Sequence, residues 1–371
     1  MSHIWKVFFA GDFLLCPGSE LPVCSDELQA LLRDADFASC NFEGCIEGAG
    51  TPAVKAGPYL SLSKDAPAWL EEQEFNVINL ANNHLYDYGR EGVRSTLSAF
   101  SKALTVGAGL SFKDAYRLHS LPVGKIGVGW LSFGEAEFGA WIEADRLKGA
   151  FAWVNHPDTN RIISEAKQLV DVLIVQVHAG VEHTVVPLPE WRARFRELAH
   201  MGADVVIGSH PHVPQGFELY NGVPLFYSLG NFYFNRPGAQ GGGMGVTLTF
   251  NGTRLVETDT VGIESRGNRI ELIDPLRWQS EWSRLCSLLQ EPLYTQTVDK
   301  MVLDLWETRY RHHYERASNG ITRYTLLELA KHCKNLLMRR GMNLPLLQHN
   351  IRIESHYWAV RRALERMLES S

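Results

Sequence analysis

The chain has 371 residues, a formal net charge of −6, 45% hydrophobic and 21% charged residues. That profile fits a soluble globular protein with one large core and a smaller second domain, and its mild acidity argues against nucleic acid as a partner. Apolar stretches such as Val170 to Val177 are far shorter than the ~20 residues that span a bilayer, so no membrane span is expected.

The amino terminus shows no charged segment followed by a long apolar core, so a signal peptide is not expected. Six cysteines without a CxxC pair read as reduced thiols, and a cytoplasmic location is the expectation. Ile4 to Ala10 is an apolar strand that runs into Gly11-Asp12, placing an acid at a strand end; the plainer reading of Asp12 is a turn cap. A helix is expected near Ser25–Arg33, then a strand from Asp36 to Asn41 that delivers Asn41-Phe-Glu43. The loop Thr51 to Pro58 carries Lys55, which either reaches an anionic substrate or lies in solvent.

Ala66–Glu74 is read as a helix feeding an apolar strand (Phe75, Val77, Ile78, Leu80) that ends in Asn82-Asn83-His84. Asparagine is poor inside strands, so these amides either cap a turn or face a ligand. Arg90 to Ala103 has helical spacing and packs back on the sheet. Lys125 to Phe133 is a strand, and Asp158 to Val170 a helix capped by Asp158.

Val172 to His178 is apolar until its final histidine, with Glu182 and His183 just beyond. Pro189 to Met201 has helix start and stop chemistry, and the strand Ala203 to Gly208 leads at once into Ser209-His210-Pro-His212. Pro224 to Leu229 is a strand ending in Gly230-Asn231-Phe232. After Gly241-Gly-Gly, three alternating strands (Gly245–Phe250, Arg254–Val261, Arg269–Ile273) look antiparallel. From Pro275 glycine becomes scarce and helical periodicity takes over at Trp282–Leu289, Val298–Tyr314, Tyr324–Met338 and Ile353–Leu368. The expected division is therefore residues 1–274 and a helical subdomain, 275–371.

Asp12, Glu43, Asn83-His84, His178 and His210-Pro-His212 thus stand at successive strand ends of an α/β pattern, where open sheets place ligands. Carboxylate, imidazole and amide donors without cysteine suit Mn, Fe or Zn.

With Gly11-Asp12, Asn41-Phe-Glu43, Asn79-Leu-Ala-Asn-Asn-His84 followed by Asp87-Tyr-Gly89, His178-Ala-Gly-Val-Glu182, Gly208-Ser-His-Pro-His-Val213 with Gln215, and Tyr227-Ser-Leu-Gly-Asn-Phe232, residues 4–273 resemble the capsule-synthesis family typified by CapA, the poly-γ-glutamate (PGA_cap) group. The resemblance implies a calcineurin-like metallophosphatase fold, a four-layer αββα sandwich with its site at the strand ends. It implies Asp12, Glu43, Asn83, His178, His210 and His212 as ligands of one or two divalent ions, and His84 as general acid or charge stabiliser. Asp12 doubles as a catalytic group, and Lys55, Asn82, Arg90 and Glu182 are the expected substrate contacts.

The metallophosphatase Asp-x-His reads Asp12-Phe-Leu here, which leaves one metal a ligand short. Ala179 and His183 stand where the family usually has Trp and Tyr. Three functions follow. The first is a metal-dependent hydrolase or transferase on an anionic polymer, peptide or phosphoester in capsule or envelope polymer synthesis. The second is a metal-independent peptide Cα epimerase using Asp12 and a histidine, with His312 or His313 as the opposing base and no cofactor. The third is a non-catalytic assembly factor.

Overall fold

A computed structural model describes residues 3–143, 149–236, 242–317, 325–337 and 343–369. Gly241 and the ends of the helix expected at Tyr324–Met338 lie outside these residues. The chain divides into two compact units, Met1–Ala53 with Tyr59–Gln290, and Val54–Pro58 with Glu291–Ser371. The change of character expected after residue 274 thus comes sixteen residues before the second unit's main segment begins at Glu291.

In the first unit, strands β1 (Ile4–Leu14), β2 (Phe37–Phe42), β3 (Val77–Asn79) and β4 (Leu104–Val106) lie parallel in one sheet. A second sheet takes β5 (His119–Val123), β6 (Ile126–Gly134), β7 (Val172–His178), β8 (Val205–Ser209), β9 (Phe217–Tyr220) and β10 (Val223–Phe226). Its central strands β6, β7, β8 and β10 are parallel, with antiparallel β5 and β9 at its edges. The chain then returns to the first sheet, where β11 (Asn231–Phe234) pairs parallel with β1. After it, β12 (Gly242–Asn251), β13 (Arg254–Arg266) and β14 (Arg269–Leu272) extend the sheet antiparallel, as their alternation predicts.

Strand alternation sorts the core into layers. Val7 and Phe9 of β1 face inward with Trp130, Ile174, Ile207 and Val246, so the two sheets pack on each other. Phe8 and Ala10 point the other way, into a cluster with residues of α1 (Asp26–Asp34), α2 (Ala66–Glu72) and α3 (Gly89–Leu97). The far face of the second sheet is covered by α4 (Thr159–Lys167) and α5 (Pro189–His200) through Ile163, Ala166, Trp191, Phe195 and Leu198. This is the expected αββα sandwich. Ser25 caps α1 through its side chain, whereas Asp158 makes no side-chain cap on α4, a correction to the expected role. Its carboxylate is instead 3.2 Å from Arg161 one turn on.

Helix α6 (Pro275–Ser287) belongs to the first unit. Gly262 of β13 leaves room for the Trp278 ring, which an added Cβ would meet at 2.6 Å, and Trp278 Nε1 donates to Thr260 Oγ1 at 3.1 Å.

The second unit contains α7 (Leu293–Leu305), a five-residue π-helical segment Trp306–Tyr310, α8 (Arg311–Ala317), α9 (Leu326–Leu337), α10 (Leu344–Arg352) and α11 (Glu354–Glu369). Helix α11 packs on α7 and α10 packs on α8. Helix α10, begun by Asn343 as a side-chain cap, was missed by periodicity because its first turn, Leu-Pro-Leu-Leu, has no polar face. No helix among the described residues is long and apolar enough to cross a membrane.

Candidate functional site

The parallel strands of both sheets deliver polar residues to one rim. In the first sheet Asn79, Asn41, Asp12 and Asn231 stand in register across β3, β2, β1 and β11. In the second, Gly134, His178 and Ser209 form the matching row across β6, β7 and β8. Asp12 does not follow its strand, as expected, but sits inside the eleven-residue β1 where the pairing shifts register. A Cβ on Gly11 would lie 1.9 Å from the Gly230 carbonyl oxygen, so only glycine lets the Asp12 N–H donate to that oxygen at 2.9 Å.

Asp12 and His178 join the two rows. Asn41 Nδ2 donates to Asp12 Oδ1 at 2.8 Å and lies 3.1 Å from His178 Nδ1, which is also 3.0 Å from Ser209 Oγ. His178 Nε2 stands 3.1 Å from Asn83 Oδ1 and 3.0 Å from His210 Nδ1. The His210 backbone N–H donates to Asp12 Oδ2, and His212 Nδ1 lies 3.4 Å from that oxygen and 2.9 Å from Asn231 Oδ1. His210 and His212 both hold positive φ, 99° and 59°. Non-glycine residues pay about 1–3 kcal/mol each for such backbone, a strain that clusters at functional sites.

Among the described residues, two three-residue sets have ligand atoms within 4.8 Å of one another: Asp12, Glu43 and His212, and Glu135, Glu137 and His210. All six side chains are at least largely buried. Glu43 is 0% exposed, and neither of its carboxylate oxygens has a hydrogen-bond partner among the described residues. His212 Nε2 and His84 Nε2 stand 3.7 and 3.9 Å from Glu43 Oε1, too far to hydrogen-bond and suitably placed around a shared cation. A buried anionic acceptor left without a donor is costly, so the donor set fits a divalent metal of the Mn, Fe or Zn type.

The electrostatics agree. Burial opposes the charge on Asp12, yet hydrogen bonding with His178 and His212 holds its carboxyl well below the usual range. Burial pushes Glu43 well above it, against the pull of His212 and with the repulsion of Asp12, Glu182 and Glu137. Burial also drives His210 well below the ordinary imidazole value, reinforced by His178. For His212 burial is outweighed by the charges of Glu43 and Asp12, and its imidazole is raised to about 10. Strongly shifted groups gathered in contact with one another are a mark of functional sites.

Asp12, Glu43, Asn83, His84, His178, His210 and His212 therefore converge. His84 Nδ1 lies 2.7 Å from Asp87 Oδ2, leaving Nε2 toward Glu43. Glu182 is close enough for its charge to act on Glu43 and His212. Asn82 departs from its expected substrate contact: it is fully buried, donates to the Phe42 carbonyl at 2.8 Å and accepts the His84 N–H at 3.2 Å. It holds the turn that presents His84, which is the plainer reading of the two. Arg90 donates to the Leu110 carbonyl at 2.8 Å, and Lys55 falls in the second unit.

Sequence reasoning missed Glu135 and Glu137. Asn83 Nδ2 donates to Glu137 Oε2 at 3.2 Å, and His210 Nε2 stands 3.5 and 3.7 Å from the two carboxylates. The signal was two acids straddling one residue just past the strand expected at Lys125–Phe133, the same pattern of polar groups at a strand end used elsewhere.

The family model described as bacterial capsule synthesis protein PGA_cap matches residues 6–236. The chain is 34% identical over 215 residues to the capsule biosynthesis protein CapA of Bacillus anthracis, covering 55% of this chain and 52% of that protein. It is 32% identical over 213 residues to the PGA biosynthesis protein CapA of Bacillus subtilis (strain 168), covering 56% of each. It thus spans about half the length of the curated relatives it matches. Among solved structures, a putative 5'-nucleotidase from Staphylococcus aureus aligns over 83% of this chain and 66% of that one, with TM-score 0.45 and 14% identity. With the family model covering well over half of its residues, the chain belongs to the bacterial capsule synthesis family PGA_cap.

Proposed function

We propose that this chain is a metal-dependent hydrolase or transferase acting on an anionic polymer, peptide or phosphoester in capsule-type polymer synthesis. The observation that carries the reading is the Glu43 carboxylate, buried without a hydrogen-bond donor among the described residues and faced by two histidines. Asp12, Glu43 and His212 would hold one divalent ion, and Glu135, Glu137 and His210 a second, with His178 beside both Asp12 and His210 and Asn83 bonded to Glu137 and close to His178. When bound, the cation supplies Lewis-acid polarisation of the attacked centre and activation of water.

The chain's own residues do the remaining work. Asp87 fixes His84 with Nδ1 toward it, so that Nε2 is the atom able to give a proton to a leaving group. Asn82 and Asp87 hold His84 from its backbone and its ring, so the acid is placed before substrate arrives.

Asp12 is poorly suited to the rival role of a base that removes a Cα proton. It is fully buried, and both of its oxygens already accept hydrogen bonds, from Asn41 and from the His210 backbone. The decisive experiment is elemental analysis of the purified full chain, paired with assays on phosphoesters and γ-linked glutamyl peptides with and without chelator. Stoichiometric transition metal and chelator-sensitive turnover, both lost in Glu43→Gln, are expected. Solvent deuterium entering a peptide Cα in chelator would overturn the proposal in favour of epimerisation. A chain that binds no metal and turns over nothing would leave the assembly-factor reading.

A further inference from the structure

The second unit contains a group of polar rings that the proposed function does not use. Tyr310 closes with His356 at 4.9 Å between ring centroids, His356 with His349 at 5.1 Å, His349 with His313 at 6.4 Å, and His313 with Tyr310 at 6.3 Å. The four rings form a closed circuit drawn from the π-helical segment, α8, α10 and the first turn of α11. Tyr310 and His356 are buried, and His313 and His349 are half-buried.

Three further features share this place. The π-helical segment ends at Tyr310, and such segments recur at functional sites. His356 lies in the first turn of the sixteen-residue α11, where the backbone N–H groups of a helix start and the positive end of the helix dipole favour an anion. Asn350 of α10, next to His349, is 1% exposed, and neither its side-chain oxygen nor its nitrogen has a hydrogen-bond partner among the described residues. The Tyr314 hydroxyl, 3.4 Å from the Asn350 backbone carbonyl, ties α10 to α8 at this point. A buried amide with no partner is rare in a folded protein and calls for a missing group.

On α10 the chain neighbours of Asn350 include His349, whose ring belongs to the circuit, and, two residues on, the half-buried Arg352. Glu354 opens the α11 turn. A shared metal ion is not favoured. Among the described residues, ligand atoms within 4.8 Å of one another occur only in the two sets of the first unit. Donors spaced more widely than a metal's ligands suit an oxyanion, whose several oxygens extend their reach.

The geometry points to an oxyanion-binding site in the second unit, formed by His313, His349, His356 and Asn350 at the start of α11, that takes a carboxylate or phosphate group. It stands independently of the metal reading, because none of its residues belongs to the two acid–histidine sets.

The test is nuclear magnetic resonance of histidine-labelled full-length protein, titrated in separate arms with inorganic phosphate and with triglutamate at matched ionic strength. Chloride serves as the control. A saturable shift of several histidine ring signals in either arm is expected, and the arm that saturates names the source of the oxyanion. His349→Gln should weaken binding at least tenfold. Asn350→Leu should do the same while leaving the thermal midpoint unchanged or higher, because it removes a buried amide that lacks a partner among the described residues. Glu43→Gln in the first unit should leave binding intact. The site is overturned if neither anion gives saturable shifts, if His349→Gln and Asn350→Leu bind like the parent, or if Glu43→Gln abolishes the shifts. A lower midpoint for Asn350→Leu with unchanged binding would likewise overturn it and make Asn350 structural.

Discussion

His84 Nδ1 stands 2.7 Å from Asp87 Oδ2, and the same carboxylate oxygen accepts the backbone N–H of Leu60 at 2.7 Å. One buried acid thus fixes both the imidazole and the backbone at Leu60. Asp87→Asn should lower turnover by about 10²-fold or more through loss of the imidazole's orientation. Metal content should remain at the parent level, because Asp87 belongs to neither ligand set. Parallel measurement of kcat and metal stoichiometry checks this; a loss of metal in step with activity would remove Asp87 from its positioning role.

The second acid pair has its own signature. Changing Glu135 and Glu137 together to Gln removes both carboxylates from the set that includes His210 while leaving Asp12, Glu43 and His212 in place. The bound metal is expected to fall from two equivalents to one, measured on protein equilibrated with excess ion and then desalted. Unchanged stoichiometry would show that these acids serve the fold or the substrate instead.

A pH-dependent element lies away from the site. Burial alone would raise Glu71, but the Ser101 hydroxyl and the backbone N–H groups of Ala103, Lys102 and Ser101 hold its carboxyl at about 2. The folded value lies below the unfolded one of about 4.3, so this stabilisation is present above that pH. It is lost as pH falls toward 2. Urea denaturation of the parent and Glu71→Gln should therefore differ most at neutral pH and converge as the solution is acidified; a difference that grows in acid would refute hydrogen bonding to the carboxylate as the cause.

Gly11 is expected to tolerate no side chain. Its Cβ would press on the Gly230 carbonyl, which is the acceptor for the Asp12 N–H. Gly11→Ala should cost about 3 kcal/mol, the upper part of the usual overpacking range. It should also reduce metal uptake by displacing Asp12, and denaturant titration with metal analysis checks both effects.

Much of the sandwich could be read from period alone. The apolar runs at Ile4–Ala10, Val172–His178 and Ala203–Gly208 became strands, with the second matching at both ends, because burial on both faces of a parallel strand requires an uninterrupted apolar run. Polar residues at the ends of such runs have one physical destination, the carboxyl rim of the sheet, so Glu43, Asn83, His178, His210 and His212 could be gathered without coordinates.

Contacts between distant segments left no periodic trace. The one local mark of Glu135 and Glu137 is their place just past the β6 run, and only the register of β6 beside β7, with Gly134 opposite His178, brings them to the site. Asn82 and Asn83 are neighbours of the same chemistry, yet the turn sends one into the interior toward Phe42 and the other to His178 and Glu137. The amino acids alone thus determined which segments form strands and which ends carry reactive groups, because burial periodicity is a local property. Which of those groups touch was decided by strand register, shifted beside Gly11, and by the backbone at His210 and His212, which are set only once the sheets have closed on each other.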